Sequence, residues 1–307
     1  MNTFWLVMKG TATGAVGPGI SVLYATYGEV IAERSGRINL GVEGSMLMGA
    51  CFGFIATVET GNVAVGILAG MLAGGLLSLV HAFLVITRKA NQLATGIAVT
   101  LFGLGVTAYA GRSYVGANIG GLNAIHVPGL SRIPVLGEAL FTQDLLGYIA
   151  FALGPVLWVL LNYTRWGLSL RAVGESRDVA YAAGRNPVLW QYAAIAIGGV
   201  LAGLGGAQLS LAYTHSWSEG MTHGQGYIAV ALVIFGMWSP LRAMAGALLF
   251  GAAIGLELQL QTVSAPVSPF ILAMLPYVIT LGVLAVWTGA ALRAMPEGLK
   301  EVLKRGS

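Results

Sequence analysis

The side chains in this sequence that are best suited to bind a solute are polar groups at the starts of apolar segments. They are Asn39, Glu43, Gln92, Thr95, Gln225 and Tyr227. Amide, carboxylate, hydroxyl and phenol groups suit recognition of a neutral, flat, hydrogen-bonding solute. We therefore expect them to line a substrate pathway. The alternative for each residue is a polar contact that joins two membrane helices.

Glu43 is the most informative of these residues. It lies in the stretch Glu33–Ala50, ERSGRINLGVEGSMLMGA, where an acidic side chain runs into an apolar segment. A carboxylate near the membrane centre costs about 2.5–3.5 kcal/mol, so a partner is expected. That partner is a set of N–H groups at a helix start, Arg34 or Arg37, or else the carboxylate contacts substrate or acts in gating. The role of Asn39 likewise has two alternatives, a helix cap or a group that binds the solute.

Enzymatic and metal chemistry find no support in the sequence. It contains no G-x-x-x-x-G-K-[ST] phosphate loop and no G-x-S-x-G nucleophile turn. His215 and His223 are eight residues apart, with no cysteine or paired acid beside them, which is a weak metal pattern. We expect no catalytic residue, no metal and no cofactor.

The composition places these groups in a membrane protein. Of the 307 residues, 56% are hydrophobic and only 9% are charged, whereas soluble proteins have about 25% charged residues. We predict a single all-α transmembrane domain over 1–307, with about nine spans in a range of eight to ten. The predicted spans are 15–32, 40–58, 63–87, 92–111, 145–163, 189–212, 226–239, 243–261 and 269–290. The seven tryptophans mostly fall at span ends, which is typical of interface anchors.

The distribution of Lys and Arg predicts the orientation. If the loop 164–187 is cytoplasmic, only Lys9, Arg112 and Arg132 of the 16 cations lie outside. This bias indicates a cytoplasmic C-terminus. Membrane topology then explains the net charge of +4 better than nucleic-acid binding does. The segment 112–143 is predicted to be irregular and external. Thr3–Met8 is predicted as a separate short helix in the interface.

The loop 164–187 is predicted to contain a short helix. Gly174 precedes an acidic first turn with Glu175 and Asp178, and Gly184 follows a run of alanines. A helix of under three turns is unstable alone, so it needs a partner surface. It is either an amphipathic connector or a docking helix for a cytosolic protein.

Three segments carry a resemblance to a known family. Arg171–Glu175, Ala182–Gly184 and Asn186-Pro187 resemble the coupling-helix segment of ABC importer permeases of the branched-chain amino acid, ribose and nucleoside group. The stretch Glu33–Ala50 and the segment Gly224–Pro240, GQGYIAVALVIFGMWSP, resemble the nucleoside branch more narrowly. The resemblance covers about Gly28 to Gly289 and is least in 112–143. Met237 stands where this branch often has a basic residue.

The resemblance implies an inverted repeat in which the start of the second span corresponds to Gly224–Gly236. It implies a bacterial or archaeal plasma membrane, a cytosolic ATP-binding subunit, a second and different permease, and an external solute-binding lipoprotein. The implied function is nucleoside import by alternating access. ATPase coupling would then fall to Gly174, Glu175, Asp178, Ala182, Ala183 and Gly184.

Other functions remain open from the residues. The same architecture would carry ribose, an amino acid or a flavin, because an external binding protein selects the solute. An ion-coupled secondary transporter would use Glu29 and Glu43 as ion sites. A membrane receptor or scaffold would show no solute flux.

Overall fold

The structure is a computed structural model in which residues 3–129, 131, 133, 136–262 and 268–300 are described. Helices account for most of these residues, and they follow one another through short turns. The helices are α1 Thr3–Arg34, α2 Val42–Thr60, α3 Val63–Ala82, α4 Gln92–Gly111, α5 Leu136–Phe141, α6 Leu145–Tyr163, α7 Arg165–Glu175, α8 Arg177–Ala182, α9 Pro187–Gln208, α10 Gln225–Phe235, α11 Pro240–Thr262, α12 Pro269–Ala273 and α13 Leu275–Ala294.

Irregular helical turns and a small sheet complete the described chain. The π-helical turns Phe83–Thr87 and Leu209–Tyr213 extend α3 and α9, and the 3-10 turn Arg112–Tyr114 extends α4. β1 Ile125–His126 pairs antiparallel with β2 Thr142–Gln143. The segment 112–143 is therefore less irregular than predicted, because its backbone groups pair in this sheet and in α5.

The prediction of an all-α membrane protein is confirmed. Within the described part of the chain, six helices are long and apolar enough to cross a membrane. α1, with 32 residues, and the shorter apolar α10 lie beside them. The number of nine spans and the inverted repeat stay predictions. Arg132 and the tail 301–307 lie outside the described residues.

Two helix boundaries differ from the sequence prediction. Thr3–Met8 is not a separate element, since α1 runs without interruption from Thr3 and contains Pro18. The second span begins at Val42 and not at Asn39 or Leu40. The backbone before it folds back to bond with other elements and does not continue a helical ladder.

Glycines allow the central helices to approach closely. α2, α3 and α9 pack against one another, and α1 packs against α9 and α11. At Gly49 of α2, a Cβ atom would overlap the backbone of Gly203 on α9, and a Cβ at Gly70 of α3 would meet the Gly49 carbonyl oxygen. Small residues at such crossings are how membrane helices pack in the absence of a strong hydrophobic force.

The helix directions define two ends of the molecule. α1 ends at Arg34, Arg88 and Lys89 follow the π-helical turn that extends α3, and Arg165 lies just after the end of α6. We call this the basic end. The segment 115–144 and the segment 214–224 leave helices that run the other way, and we call their side the opposite end.

Candidate substrate pathway

The segment 35–41, between α1 and α2, turns back from the basic end into the helix bundle. The Thr100 hydroxyl donates to the Leu40 carbonyl oxygen at 3.0 Å. Thr100 is about two turns into α4, which places Leu40 roughly 12 Å from the start of that helix. The Asn39 N–H donates to Glu29 Oε1 at 2.7 Å, more than a turn before the end of α1. Non-helical backbone is tolerated at this depth only when it is surrounded by protein or lines a cavity.

A second segment, 214–224, turns inward from the opposite end and starts a half-length helix. α10 has 11 residues, about 16 Å and half of a 30 Å hydrocarbon core. Its last turn leads to Trp238 at the basic end, where Arg34 Nε donates to the Trp238 carbonyl oxygen at 3.1 Å. The first residue of α10 therefore lies inside the bundle. His223 and Gly224, with φ of 46° and 82°, make the sharp turn before it.

Glu43 joins the two inward segments. Its Oε1 accepts from the Thr222 hydroxyl at 2.6 Å and from the Gly224 N–H at 2.9 Å. Its Oε2 accepts from the Gly226 N–H at 2.6 Å. The first N–H groups of a helix lack intrahelical partners and carry partial positive charge, so a carboxylate there is favoured. Glu43 is therefore satisfied by N–H groups, as one alternative expected, but those groups belong to α10 and not to its own helix.

Asn39 and Gln92 support the turn that delivers Glu43. Asn39 Oδ1 accepts from the Gly41 N–H at 3.0 Å, and its Nδ2 donates to the Ser78 hydroxyl at 3.3 Å. Gln92 Oε1 accepts from the Ile38 N–H at 3.0 Å. Thr95 is buried one turn further along α4. Two of the predicted pathway residues, Asn39 and Gln92, thus hold the segment 35–41 in place.

Gln225 and Tyr227 take different positions on α10. Gln225 is nearly buried, and its Oε1 accepts from the Ser21 hydroxyl, which is also 3.0 Å from the Gly205 carbonyl oxygen. Tyr227 is 40% exposed, and its hydroxyl makes no hydrogen bond to the other predicted pathway residues. We call the buried groups around Glu43, Asn39 and Gln225 the polar seam.

Sequence reasoning missed several members of the seam and its basic end. Thr222, Ser21 and Ser78 were not singled out, because lone hydroxyls in membrane helices carry little signal. Trp238 is 1% exposed, and its Nε1 donates to Glu33 Oε2 at 2.6 Å. The interpretation of this tryptophan as an interface anchor is therefore wrong, and Trp217, 2% exposed, is buried as well.

The segment 164–187 forms two helices at the basic end. α7 ends at Glu175, and Ser176 caps α8, whose Val179 N–H it accepts at 3.4 Å. The predicted short helix thus begins after Glu175, because the Ser176 hydroxyl caps α8 and separates it from α7. Asp178 does lie in its first turn, and Gly184 takes a left-handed φ of 77° two residues after its end.

α8 presents an exposed surface, whereas the end of α7 is anchored. Val179 and Tyr181 are 67% and 72% exposed, and Glu175, Asp178, Ala182, Ala183 and Gly184 are exposed as well. Gly174 is buried with its Cα against the backbone of Arg34 and Gly36. Glu175 Oε2 accepts from the Glu297 N–H at 3.2 Å. The exposed helix is therefore tied to the end of α1 and to the turn after α13.

A multi-pass helical membrane protein with a half-length helix capped inside its bundle has the construction of a solute permease. The family model described as branched-chain amino acid transport system / permease component matches residues 12–290. The chain belongs to this family and is an ABC transporter permease component. Such components are transport subunits and not enzymes. The family implies an ATP-binding subunit and a solute-binding protein.

Three similar proteins align with this chain over almost the whole length of both sequences. A putative glucose ABC transporter permease of Haloferax volcanii is 38% identical, over 92% of this chain and 94% of that protein. A nucleoside ABC transporter permease of Lactococcus lactis subsp. cremoris is 34% identical, over 92% and 93%. A guanosine ABC transporter permease of Bacillus subtilis is 33% identical, over 88% and 89%. No solved structure matches the chain.

Proposed function

We propose that this chain is a permease subunit of an ABC importer that moves a nucleoside across the plasma membrane of a bacterium or archaeon. The observation that carries the cargo is similarity along most of the chain to permeases named for nucleoside and for guanosine transport. ATP is hydrolysed by a cytosolic partner, a second permease completes the membrane part, and an external lipoprotein delivers the solute. The basic end faces the cytoplasm.

The polar seam is the proposed pathway. Ser21, Gln225, Glu43 and Asn39 follow one another between the opposite end and the basic end, each bonded to a backbone or side chain of the seam. These groups are neutral apart from the Glu43 carboxylate, which is already satisfied by three donors, and the neighbouring Glu29 carboxyl group accepts from the Asn39 N–H. A neutral solute that exchanges hydrogen bonds with amides and hydroxyls would move along such a series without ion pairing.

α8 is the proposed docking helix for the ATP-binding subunit. Its exposed Val179 and Tyr181 supply apolar contact, and Glu175 and Asp178 supply charge. Because Gly174 packs directly on the backbone of Arg34 and Gly36, a displacement of α7 and α8 reaches the segment 35–41 through contacts of backbone on backbone. That segment leads to Glu43, so the motion of the partner would reach the start of α10.

A sugar is the second candidate cargo. The relative from Haloferax volcanii is named for glucose, and it covers as much of this chain as the nucleoside relatives do. An ion gradient is the second candidate energy source for transport, with Glu29 and Glu43 as the ion sites. Both alternatives are separated from the main proposal by uptake measurements.

The test is uptake of radiolabelled guanosine and of radiolabelled glucose in cells that carry the complete transporter. The chain is left intact, deleted, or changed at Glu175→Lys with Asp178→Lys. The matched control is Glu59→Lys with Glu219→Lys, since both residues are exposed acids at the opposite end. Membrane levels of each variant are measured in parallel.

The proposal expects guanosine uptake to be lost on deletion and in the coupling variant, and kept in the control. Guanosine uptake that survives deletion refutes guanosine as the cargo, and glucose uptake that follows the same pattern favours the sugar. Uptake that persists with an inactive ATPase partner and collapses with an ionophore favours the ion-coupled engine.

A further inference from the structure

A cavity of about 780 Å³ lies at the opposite end, about one turn of α1 beyond Ser21 of the polar seam. α1, the π-helical turn after α9 and the segment 122–144 form its walls. Its lining includes Gly17, Asn123, Gln143, Asp144, Gln208 and Tyr213. Small-molecule sites in proteins are typically about 300–1,000 Å³, so the cavity has the size of a ligand site.

Gln208 is the observation that indicates a ligand. The residue lines the cavity and is 0% exposed, and neither its amide oxygen nor its amide nitrogen has a hydrogen-bond partner among the described residues. Buried side-chain polar groups nearly always have a partner. A second lining residue, His215, also has a buried ring nitrogen, Nε2, without a partner. The cavity wall therefore contains donor and acceptor groups without a partner among the described residues, which a guest can engage once the side chains that cover them shift.

The chemistry of the lining suits a neutral, hydroxyl-bearing guest. An amide offers donors and an acceptor together, and a sugar hydroxyl, which both donates and accepts, can bond to either. Among the described lining residues none is Lys or Arg, and the carboxylate is Asp144, whose Oδ1 caps α6 by accepting from the Gly147 N–H at 2.9 Å. An anionic solute would meet that carboxylate without a compensating cation. A neutral polyhydroxyl ring meets no such penalty.

The backbone next to Gln208 is also unusual. The π-helical turn Leu209–Tyr213 follows it directly and places Tyr213 on the cavity wall. Single π-helical turns within helices occur frequently at functional sites. The turn keeps α9 continuous while it shifts the register of the residues after Gln208. An amide and a phenol ring therefore border the same space.

We infer that this cavity binds the sugar ring of the transported solute, a pentose or a hexose, with Gln208 as its principal hydrogen-bonding group. The inference rests on the proposed import function and adds a site for the solute at the face where it arrives. A nucleoside and glucose share this ring chemistry. The cavity thus recognises what the two candidate cargoes have in common.

The test uses cysteine protection in membranes that contain the complete transporter. The chain has one cysteine, Cys51, which is buried, so a Cys51→Ala background removes it. The reporter is Ala124→Cys, at an exposed lining residue that has no polar side-chain group. The control is Ser113→Cys, exposed at the same end and outside the cavity lining. The rate of labelling by a membrane-impermeant maleimide is measured with guanosine, ribose, glucose or guanine.

The expected result is protection at the reporter by at least one free sugar, ribose or glucose, with guanosine protecting where the pentose is the one recognised, and no protection at the control. At about ten times the dissociation constant the labelling rate falls about tenfold. Adding Gln208→Leu, which keeps the size and removes both polar atoms, weakens the protecting affinity by about tenfold. Protection by glucose alone identifies the hexose as the source, and protection by ribose and guanosine identifies the nucleoside.

Two results overturn the inference. One is protection by guanine but by neither sugar, which would assign the cavity to the base. The other is no protection by any solute while ATP-dependent uptake remains intact, which leaves the proposed function standing. Sugar protection without any uptake leaves the cavity assignment standing and refutes the proposed function.

Discussion

Replacing Glu43 by leucine tests whether the carboxylate holds the start of α10 in place. The carboxylate accepts from the Thr222 hydroxyl and from the Gly224 and Gly226 N–H groups. Leucine accepts none, so the buried Gly226 N–H and the part-buried Gly224 N–H lose their partner, while the hydroxyl can rotate toward another acceptor. The orphaned buried donor costs about 1–3 kcal/mol and the lost bond of the part-buried donor about 0.5–1.5 kcal/mol, which predicts a loss of about 1.5–4.5 kcal/mol in the free energy of unfolding.

The Glu43→Gln variant gives an intermediate expectation. The glutamine carbonyl oxygen can replace Oε1 and keep two bonds, but its NH₂ group faces the Gly226 N–H, donor against donor. One orphaned donor predicts a loss of about 1–3 kcal/mol. The matched control is Glu59→Leu on the same helix, an exposed acid whose Oε1 accepts from the Tyr114 hydroxyl at 2.7 Å. Removing a surface contact of this kind predicts a change below about 1 kcal/mol.

The measurement is the unfolding free energy of the purified permease, from titration of mild-detergent micelles with a denaturing detergent. The expected order of stability is wild type, then glutamine, then leucine, with the Glu59 control close to wild type. A leucine variant as stable as wild type would refute the reasoning. It would mean that the burial cost of the carboxylate equals the value of its bonds, so that stability does not explain why the acid is there.

Two further predictions concern packing and the basic end. Gly49→Ala should lower the unfolding free energy by about 1–3 kcal/mol, because the added Cβ would overlap the Gly203 backbone. Gly105→Ala, whose Cβ would have no atom within 4 Å, should be neutral or stabilising by up to about 1 kcal/mol. The same titration measures both variants, and equal effects would contradict the close crossing. Trp238→Phe removes the donor to Glu33 and should lower the unfolding free energy by about 1–3 kcal/mol. The control Trp190→Phe removes an indole N–H that makes no hydrogen bond among the described residues, and an equally large loss there would assign the effect to ring size.

The sequence was sufficient for the class of protein and for the position of Glu43. A carboxylate inside an apolar run is costly enough to require a partner, and that argument needs no structure. The identity of the partner was out of reach. The N–H groups of Gly224 and Gly226 are about 180 residues away, and a backbone donor has no signature in side-chain types.

The start of the short helix at the basic end shows a different limit. Glu175 and Asp178 look alike as first-turn acids, but only Asp178 is in α8. The deciding residue is Ser176, whose hydroxyl caps the helix. The sequence alone does not indicate which of these three residues, a serine and two acids, is the cap. Gln208 was missed for a similar reason, since a single amide in an apolar helix is more often a helix contact. Its lack of a partner is a property of the folded chain alone.

The proposed cavity and the polar seam share the same two helices. Gly17 lines the cavity, and Ser21, one turn further along α1, bonds both Gly205 of α9 and Gln225 of α10. Gln208 is one turn beyond Gly205. The Ser21 hydroxyl therefore lies between the cavity and Glu43, and its two bonds hold α1, α9 and α10 together at that level. A solute that leaves the cavity toward the seam must compete for these bonds first.

The basic end is closed by a different set of contacts. Glu33 and Arg34 both bond to Trp238, and Arg34 is also the residue on which Gly174 packs. A pull on α8 would therefore strain the contacts at the basic end before it reached Ser21. If, as proposed, the basic end faces the cytoplasm and the two sets open in turn, the partner ATPase would act directly on the closure at the basic end, and the closure at Ser21 would respond through α10. Uptake should then be more sensitive to Trp238→Phe than binding at the cavity is, and cysteine protection at Ala124→Cys measured in that variant would separate the two effects.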